Sequence, residues 1–279
     1  GDEHHLVVRH RLPRAQLAGH NPPLLVGHAD VALERVDHLV AQRIDLGGDL
    51  DIVATPMGDV VPSVNPNILL YTTKVPIGVV GLITPWNFPL AIPIWKMAPA
   101  IVFGNTIVHK PASSTPLLGK MIAEMWEASD LPSGVYNLVT GSGSELGDSI
   151  IDHPYTSALS FTGSTHIGQS IAVKCAKNGM KYQLEMGGKN PIIVMPDANL
   201  NQAVDGIIGA AYGSAGERCM ALSVAVAVGD VGDKLIEKLT PRVQNLKVGP
   251  GTDPEVEMGP LISDVHLAKV KSYVDAGGS

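Results

Sequence analysis

The chain has 279 residues, and 45% of them are apolar, which is enough to bury a sizeable core in one large domain or two smaller ones. Its 27 acidic and 20 basic residues give a net charge of −7, which argues against nucleic acid or an anionic membrane surface as the partner. Prolines and a lysine interrupt the apolar stretch from 77 to 108, so no membrane span is expected either. The composition therefore favours chemistry on a small molecule.

The first 50 residues form a segment whose structure the sequence determines poorly. They contain six of the ten histidines, but the spacings match no recognised site, and we expect no bound metal. Within this segment, only residues 29–44 have the periodicity of an amphipathic helix.

From residue 67 onward, short β-rich runs alternate with helical patterns. Strands are predicted at 68–72, 78–83, 106–110, 135–139, 158–161 and 191–195. Helices are predicted at 90–102, 116–128, 165–177 and 200–212. This alternation implies an α/β fold with a doubly wound, mainly parallel sheet and helices on both faces. A break at 213–216 and a strand at 223–228 predict a domain boundary near residue 216.

Two cysteines are present, and one of them has the surroundings of a nucleophile. Cys219 lies in Gly-Glu-Arg-Cys-Met, where the cationic Arg218 favours the reactive thiolate, and Glu185 upstream could activate a water. The alternative is that Cys219 only fills the core as a small apolar side chain. Cys175 lies within a predicted helix and is expected to be structural. The two cysteines do not form a C-x-x-C motif. We therefore predict that both are free thiols in a reducing compartment, with the cytoplasm as the default.

Several polar or glycine-rich segments follow predicted strands, where parallel sheets bind anionic ligands. Gly163 and Ser164 follow one strand and open a helix, and Gly141 follows another. Lys110 ends a third strand and brings an ammonium group to the same sheet edge. Each of these segments could equally be an ordinary turn or a solvated strand end. Asn87, in the loop after residue 83, could donate to an oxyanion together with the Cys219 backbone N–H, or could be a turn residue.

Together these segments are far more specific than any one alone, and the sequence resembles the aldehyde dehydrogenase superfamily between about residues 62 and 262. The motifs that carry the resemblance are Thr-Pro-Trp-Asn-Phe-Pro (84–89), Gly-Asn-Thr (104–106), Lys-Pro-Ala-Ser (110–113), Phe-Thr-Gly-Ser (161–164), Leu-Glu-Met-Gly-Gly-Lys (184–189) and the Cys219 segment. The resemblance implies a dinucleotide-binding domain at 51–216 and the beginning of an α/β catalytic domain at 217–279.

The resemblance also implies roles for individual residues. Cys219 would attack an aldehyde, Asn87 would hold the oxyanion, and Glu185 would activate the water that hydrolyses the thioester. Residues at the family's cofactor-binding positions would be Thr84, Pro85, Trp86, Lys110, Ser113, Gly141, Gly163, Ser164 and Gly187. Trp86 would also support the loop that carries Asn87.

The cofactor expected from the resemblance is NADP or NAD. Members that prefer NAD commonly carry glutamate at the position of Ser113, where a carboxylate would repel a 2′-phosphate. A serine beside Lys110 should tolerate or bind that phosphate, which predicts NADP or the use of both cofactors.

The segment 71–86 is most similar to semialdehyde dehydrogenases of the 2,5-dioxovalerate (α-ketoglutarate semialdehyde) type. Residues 195–198 and 216–223 are instead similar to methylmalonate-semialdehyde dehydrogenases, which transfer the acyl group to coenzyme A. Glu185 favours the hydrolytic type, because the acyl-transferring members usually lack this base.

The sequence also departs from the family at both ends. The first fifty residues do not match its amino-terminal helices, and the chain stops soon after residue 262. We therefore expect a carboxy-terminal truncation that removes most of the catalytic domain and the segment used by a usually homo-oligomeric family. A truncated, non-catalytic nucleotide-binding module is the alternative to an active enzyme.

Overall fold

The computed structural model describes residues 58–277. The predicted helix at 29–44 and the six amino-terminal histidines lie outside this range. The strands, in chain order, are β1 (Val60–Val61), β2 (Leu70–Tyr71), β3 (Val79–Ile83), β4 (Thr106–Lys110), β5 (Tyr136–Leu138), β6 (Thr156–Thr162), β7 (Lys181–Glu185), β8 (Asn190–Val194) and β9 (Leu222–Ala227). The α-helices are α1 (Ala91–Val102), α2 (Pro116–Glu127), α3 (Gly143–Ile151), α4 (Thr165–Lys177), α5 (Leu200–Ile207), α6 (Val231–Gln244) and α7 (Asp264–Gly277).

Five of the strands form one parallel sheet in the order β5-β4-β3-β6-β7. The chain winds outward from β3 through β4 to β5, and then returns to the other side of β3 to add β6 and β7. The order therefore reverses between β3 and β6, and ligands of open α/β sheets bind at the carboxyl ends of the strands beside such a point.

Helices cover both faces of this sheet because side chains alternate along each strand. On one face, Val80 and Leu82 of β3 pack with Met97 and Ile101 of α1. On the other face, Leu159 and Phe161 of β6 pack with buried residues of α3 and α4, namely Ile150, Ile151, Ile171 and Cys175. The doubly wound α/β architecture predicted from the sequence is confirmed.

A second, two-stranded parallel sheet joins β8 to β9. Its core is separate and combines Val194 of β8 with Val204 and Ile207 of α5 and with Val231 and Leu235 of α6. The β8 strand therefore pairs with an element that follows residue 216 and not with the five-stranded sheet. The two-stranded sheet and its helices thus have a core of their own, and the predicted boundary near residue 216 stays a prediction.

The structure differs locally from the predicted elements in three places. The predicted helix at 200–212 is α-helical only to Ile207 and continues as a π-helical turn, Ile208–Tyr212. The predicted strand at 68–72 shrinks to β2, which forms an antiparallel ribbon with β1 beside the parallel sheet. The β7 strand was not predicted, because its side chains are mostly exposed and give no apolar pattern.

Among residues 58–277, no helix combines the length and apolar content that crossing a bilayer requires.

Gly81, in the middle of β3, offers a test of how closely α3 packs on the sheet. A Cβ atom at Gly81 would lie 2.6 Å from Ile150 Cγ2 and 2.7 Å from Leu159 Cδ1. We expect Gly81→Ala to lower the free energy of unfolding by about 1–3 kcal/mol, because the added methyl group forces core side chains apart. Urea denaturation measures the change.

The matched control is Gly147→Ala in α3, where an added Cβ atom would meet no heavy atom within 4 Å. There, alanine should stabilise the helix by about 0.5–1 kcal/mol. Equal effects of the two substitutions would contradict the close packing of α3 against Gly81.

Candidate active site

Cys219 and Glu185 line the same cavity, which has a volume of about 500 Å³. The thiol comes from the loop before β9 and is exposed, whereas the carboxylate ends β7. The remaining lining residues come from α1, β6 and β7 and are Ile92, Trp95, Lys96, Pro99, Ser160, Thr162 and Gln183. The structure thus brings the two predicted catalytic side chains together, although Glu185 ends a strand of the five-stranded sheet and Cys219 precedes a strand of the two-stranded sheet.

The register of β6 against β7 explains why polar side chains face this cavity. Ser160 lies opposite Gln183, and Thr162 lies opposite Glu185, at the carboxyl ends of the two strands. Residues two positions apart on a strand point to the same face. All four side chains therefore belong to one face, which is the face that borders the cavity.

Lys96 extends from α1 to the polar side chains on this face of the sheet. Its Nζ donates to Ser160 Oγ at 2.8 Å, to Gln183 Oε1 at 3.0 Å and to the Phe161 carbonyl oxygen at 3.4 Å. Burial lowers the pKa of Lys96 to about 8, although the negative charge of Glu185 acts in the opposite direction. With a pKa near 8, Lys96 is still mostly an ammonium at neutral pH, and its positive charge lies close to the predicted base.

Hydrogen bonds from two asparagines connect to the cysteine loop. Asn190, at the start of β8, donates from Nδ2 to the carbonyl oxygens of Cys219 at 2.9 Å and Ala221 at 3.1 Å. Asn87 donates from Nδ2 to the Glu217 carbonyl oxygen at 3.0 Å. Asn87 therefore lies next to the cysteine segment, as an oxyanion donor must, and its second amide N–H remains available.

Arg218, which precedes the cysteine, is also held by local contacts. Its Nε donates to Ser214 Oγ at 3.2 Å, and a Cβ atom at Gly213 would lie 2.5 Å from Arg218 Nη2. Glycine at 213 therefore leaves space for the guanidinium. Ser214 and Ala215 both have φ values near +50°, a left-handed conformation that costs energy for residues other than glycine.

The predicted cofactor-binding residues lie at the carboxyl ends of the parallel strands. Thr84 follows β3, and its backbone N–H donates to the Lys110 carbonyl oxygen at 3.1 Å. Lys110 is buried, and its Nζ donates to the Pro111 carbonyl oxygen at 3.0 Å. Burial lowers the pKa of Lys110. Ser113 Oγ donates to the Gly141 carbonyl oxygen at 3.0 Å, which ties the loops after β4 and β5 together.

A second group of these residues surrounds the start of α4. Ser164 is the N-cap residue of α4, and its side chain makes no capping hydrogen bond, so the hydroxyl is available to an anion. The Gly163 N–H donates to the Glu185 carbonyl oxygen at 3.1 Å. A Cβ atom at Gly187 would lie 3.9 Å from Thr165 Oγ1, which places Gly187 across from the first turn of α4.

Pro85 and Trp86 continue the chain from Thr84 to Asn87. Trp86 packs edge-on against His266 of α7, with ring centroids 5.6 Å apart. This contact fixes the loop that carries Asn87 against a later part of the chain. The roles predicted for all these residues as catalytic or cofactor-binding groups stay predictions.

The sequence analysis missed four polar residues that the structure places around the predicted pair, namely Lys96, Ser160, Gln183 and Asn190. The only signal for Lys96 was a single charge in an apolar helix. The other three lie at or near strand ends, where short runs did not reveal which strands are neighbours. Among residues 58–277, no group of three or more His, Cys, Asp or Glu side chains could hold a metal ion.

His109 lies beneath the cofactor-binding candidates and is completely buried. Its Nε2 and Thr84 Oγ1 are 2.9 Å apart, and its Nδ1 and Tyr136 Oη are 2.7 Å apart. Burial, with a smaller effect of the Lys110 charge, lowers the pKa of His109 to about 4. The same burial raises the pKa of Tyr136.

With this geometry established, comparison with known proteins assigns the family. The sequence profile that describes the aldehyde dehydrogenase family matches residues 50–279 of the chain. The chain belongs to the aldehyde dehydrogenase family. The resemblance seen in the sequence motifs is thereby confirmed over most of the chain.

Similar proteins include enzymes named for different aldehydes. An alpha-ketoglutaric semialdehyde dehydrogenase of Bacillus subtilis (strain 168) is 46% identical over 220 residues, which cover 79% of this chain and 45% of the relative. The crystal structure of methylmalonate-semialdehyde dehydrogenase from Oceanimonas doudoroffii matches with a TM-score of 0.75 and 40% identity, covering 89% of this chain and 48% of that one.

A betaine aldehyde dehydrogenase from Staphylococcus aureus in complex with NAD+ matches with a TM-score of 0.76 and 35% identity. The match covers 88% of this chain and 53% of that one. The chain spans about half the length of the curated relatives it matches.

The low pKa of His109 predicts that stability depends on pH. The unfolded histidine has a pKa near 6.5, so between pH 6.5 and 4 the unfolded state binds more protons and the free energy of unfolding falls as pH falls. The full loss is about 3 kcal/mol. We expect His109→Gln to flatten the dependence in this window, as measured by urea denaturation at several pH values.

The control is His166→Gln, which changes an exposed histidine in α4. This variant should show the same dependence of the free energy of unfolding on pH as the wild-type protein. A His109→Gln profile as steep as that of wild type would contradict the buried, neutral state of His109.

Proposed function

We propose that this protein catalyses NAD(P)-dependent oxidation of a semialdehyde to a carboxylic acid through a thioester on Cys219. The observation that carries the proposal is the shared cavity of Cys219 and Glu185. It combines a nucleophile with a carboxylate base, beside the strand ends where this family carries its cofactor-binding residues. A solvent-exposed thiol is also better suited to attack a substrate than to fill a core.

In the first step, the Cys219 thiolate attacks the aldehyde carbon and forms a C–S bond, while the carbonyl oxygen becomes an oxyanion. The free amide N–H of Asn87 and the backbone N–H of Cys219 would donate to this oxygen. The Asn87–Glu217 hydrogen bond supports this role, because it holds the amide against the cysteine loop before substrate binds. When bound, a nicotinamide dinucleotide would accept the hydride from the resulting thiohemiacetal carbon, leaving a thioester.

In the second step, the Glu185 carboxylate takes a proton from a water as the water oxygen attacks the thioester carbon. The C–S bond breaks, the carboxylic acid leaves and the Cys219 thiolate returns. Lining residues such as Ser160 and Thr162 keep the surroundings of Glu185 polar, which is compatible with a bound water.

The strand-end residues fit a dinucleotide in chemical character. Ser164 has a hydroxyl without a capping bond at a helix N-terminus, and no acidic side chain lies in the first turn of α4. The Lys110 ammonium keeps two N–H groups besides the one that bonds the Pro111 carbonyl oxygen. The exposed Ser113 hydroxyl donates to the Gly141 carbonyl oxygen and would give up that bond to donate to a ribose or phosphate oxygen. NADP, or both cofactors, remains our proposal from Ser113, and the relative crystallised with NAD+ supports NAD as a ligand of this fold.

α-Ketoglutarate semialdehyde is the substrate that we propose, on the similarity to relatives that carry this name. The second candidate is a coenzyme A-acylating methylmalonate-semialdehyde dehydrogenase, which the similarity to the enzyme from Oceanimonas doudoroffii favours. Glu185 supports the hydrolytic reaction, because a base in the cavity serves hydrolysis by water, whereas a thiol needs no such base once ionised.

We further propose a cytoplasmic location. The support for the location is the pair of free cysteines, one of them exposed.

Substitutions at the two catalytic positions test the proposed chemistry. Cys219→Ser should abolish NAD(P)H formation with α-ketoglutarate semialdehyde, because a serine hydroxyl is a far weaker nucleophile. Glu185→Gln should slow steady turnover by about 100-fold or more while a first, stoichiometric burst of NAD(P)H persists. Stopped-flow absorbance measures both phases. Cys175→Ala is the control, and undiminished activity of Cys219→Ser would refute the mechanism.

Coenzyme A distinguishes the two candidate reactions. The full chain is assayed with α-ketoglutarate, succinate and methylmalonate semialdehydes, each with and without coenzyme A. Turnover that is independent of coenzyme A is expected. Turnover only in its presence would favour the acyl-transfer enzyme, and no turnover from a chain with an intact circular dichroism spectrum would favour a non-catalytic nucleotide-binding module.

Cofactor choice is tested at Ser113. Ser113→Glu should weaken NADP+ binding by about tenfold, because the new carboxylate repels the 2′-phosphate, and should leave NAD+ binding within about threefold. Isothermal titration calorimetry measures both dissociation constants without requiring turnover. Ser114→Glu, which adds the same charge at the next exposed residue, is the control. Equal losses in the two variants would contradict a specific role for Ser113.

A further inference from the structure

Gln183 bridges the predicted base, Glu185, to the half-buried ammonium of Lys96. Its Nε2 donates to Glu185 Oε1 at 2.7 Å, and its Oε1 accepts from Lys96 Nζ at 3.0 Å and from Ser160 Oγ at 2.5 Å. Within residues 58–277, the ion pairs do not include one between Lys96 and Glu185. The glutamine amide is therefore what connects these two charges.

The neighbours of Gln183 fix the orientation of its amide. An ammonium can only donate, so it needs the amide oxygen, and an ionised carboxylate can only accept, so it needs the amide nitrogen. Turning the amide over would break both bonds and place two acceptors, the Glu185 carboxylate and the Gln183 oxygen, against each other. Lys96 thus sets the direction in which Gln183 presents its N–H to Glu185.

Strand geometry adds a second constraint. Gln183 and Glu185 lie two positions apart on β7, so their side chains emerge on the same face, and Ser160 on β6 lies opposite Gln183. Because β7 is at the edge of the sheet and the carboxylate is exposed, its motion is limited, within residues 58–277, by the hydrogen bond from the Gln183 side chain.

We propose that Gln183 is a positioning residue that holds the Glu185 carboxylate in a fixed orientation on the wall of the cavity shared with Cys219. The inference rests on the proposed role of Glu185 as the base for thioester hydrolysis. The amide N–H binds Oε1 of the carboxylate and leaves Oε2 to take the proton from water. Gln183 therefore acts on the hydrolysis of the acyl-enzyme and not on its formation.

The experiment uses p-nitrophenyl acetate and the full chain, because this ester separates the two steps without a cofactor. The Cys219 thiolate attacks the ester carbonyl and releases p-nitrophenolate, and water then cleaves the acetyl thioester to acetate while Glu185 takes the proton. The burst of p-nitrophenolate measures acylation, and the steady rate measures hydrolysis.

Two variants of Gln183 distinguish a role in positioning Glu185 from a role in holding Lys96 and Ser160 in place. Gln183→Met keeps the length of the side chain and removes every hydrogen bond. Gln183→Glu keeps acceptors for Lys96 and Ser160 but offers Glu185 a second carboxylate in place of a donor. We expect both to keep the burst and to lower the steady rate by about three- to tenfold, the range for one lost hydrogen bond at a partly exposed site. Gln202→Met, an exposed change on α5, is the control.

The outcomes distinguish the inference from the function on which it rests. A wild-type chain without a burst overturns the proposed function and the inference together. A normal burst with unchanged steady rates in both Gln183 variants overturns the inference alone. A loss in Gln183→Met with full activity in Gln183→Glu also overturns it, because Gln183 would then serve only to brace Lys96 and Ser160.

Discussion

The parallel register between β6 and β7 is the constraint on which the rest of the site depends. It places Ser160 opposite Gln183 and Thr162 opposite Glu185, so four polar side chains share one face at the carboxyl ends of the strands. A shift of one residue would turn Glu185 away from the cavity and direct Leu184, which packs in the core, into it. The core between β6, α3 and α4 thus determines where the base lies.

The nucleophile reaches the same cavity from the second sheet. The chain leaves β7, passes Gly188 and enters β8, where Asn190 holds the carbonyl oxygens of Cys219 and Ala221. Gly188 lies close to this loop, since a Cβ atom there would be 3.4 Å from the Cys219 carbonyl oxygen. The short connection between Glu185 and Asn190 therefore couples the position of the base to that of the thiol, and Asn87 joins the loop from the end of β3.

Local chemistry made much of the fold predictable from the sequence. The strand Thr106–Lys110 ends where Pro111 interrupts it, and the helix Thr165–Lys177 begins after a glycine and a serine, so both were predicted with the bounds that the structure has. Pairing between distant segments was not predictable in this way. Nothing local to β8 indicates that it pairs with β9, and the reach of Lys96 from α1 to Gln183 depends on the packing of a helix on strands far along the chain. Motif chemistry singled out Cys219 and Glu185, but the amide that links Glu185 to Lys96 became visible only in three dimensions.

The central claim is that the exposed thiol of Cys219 carries the acyl group. The most direct measurement is peptide mass spectrometry of the full chain after acid quenching of its reaction with α-ketoglutarate semialdehyde and NAD(P)+. The account predicts an added acyl mass on the peptide that contains Cys219, and none on the peptide that contains the buried Cys175. Turnover without any acyl adduct on Cys219 under single-turnover conditions, or an adduct on Cys175 instead, would contradict it.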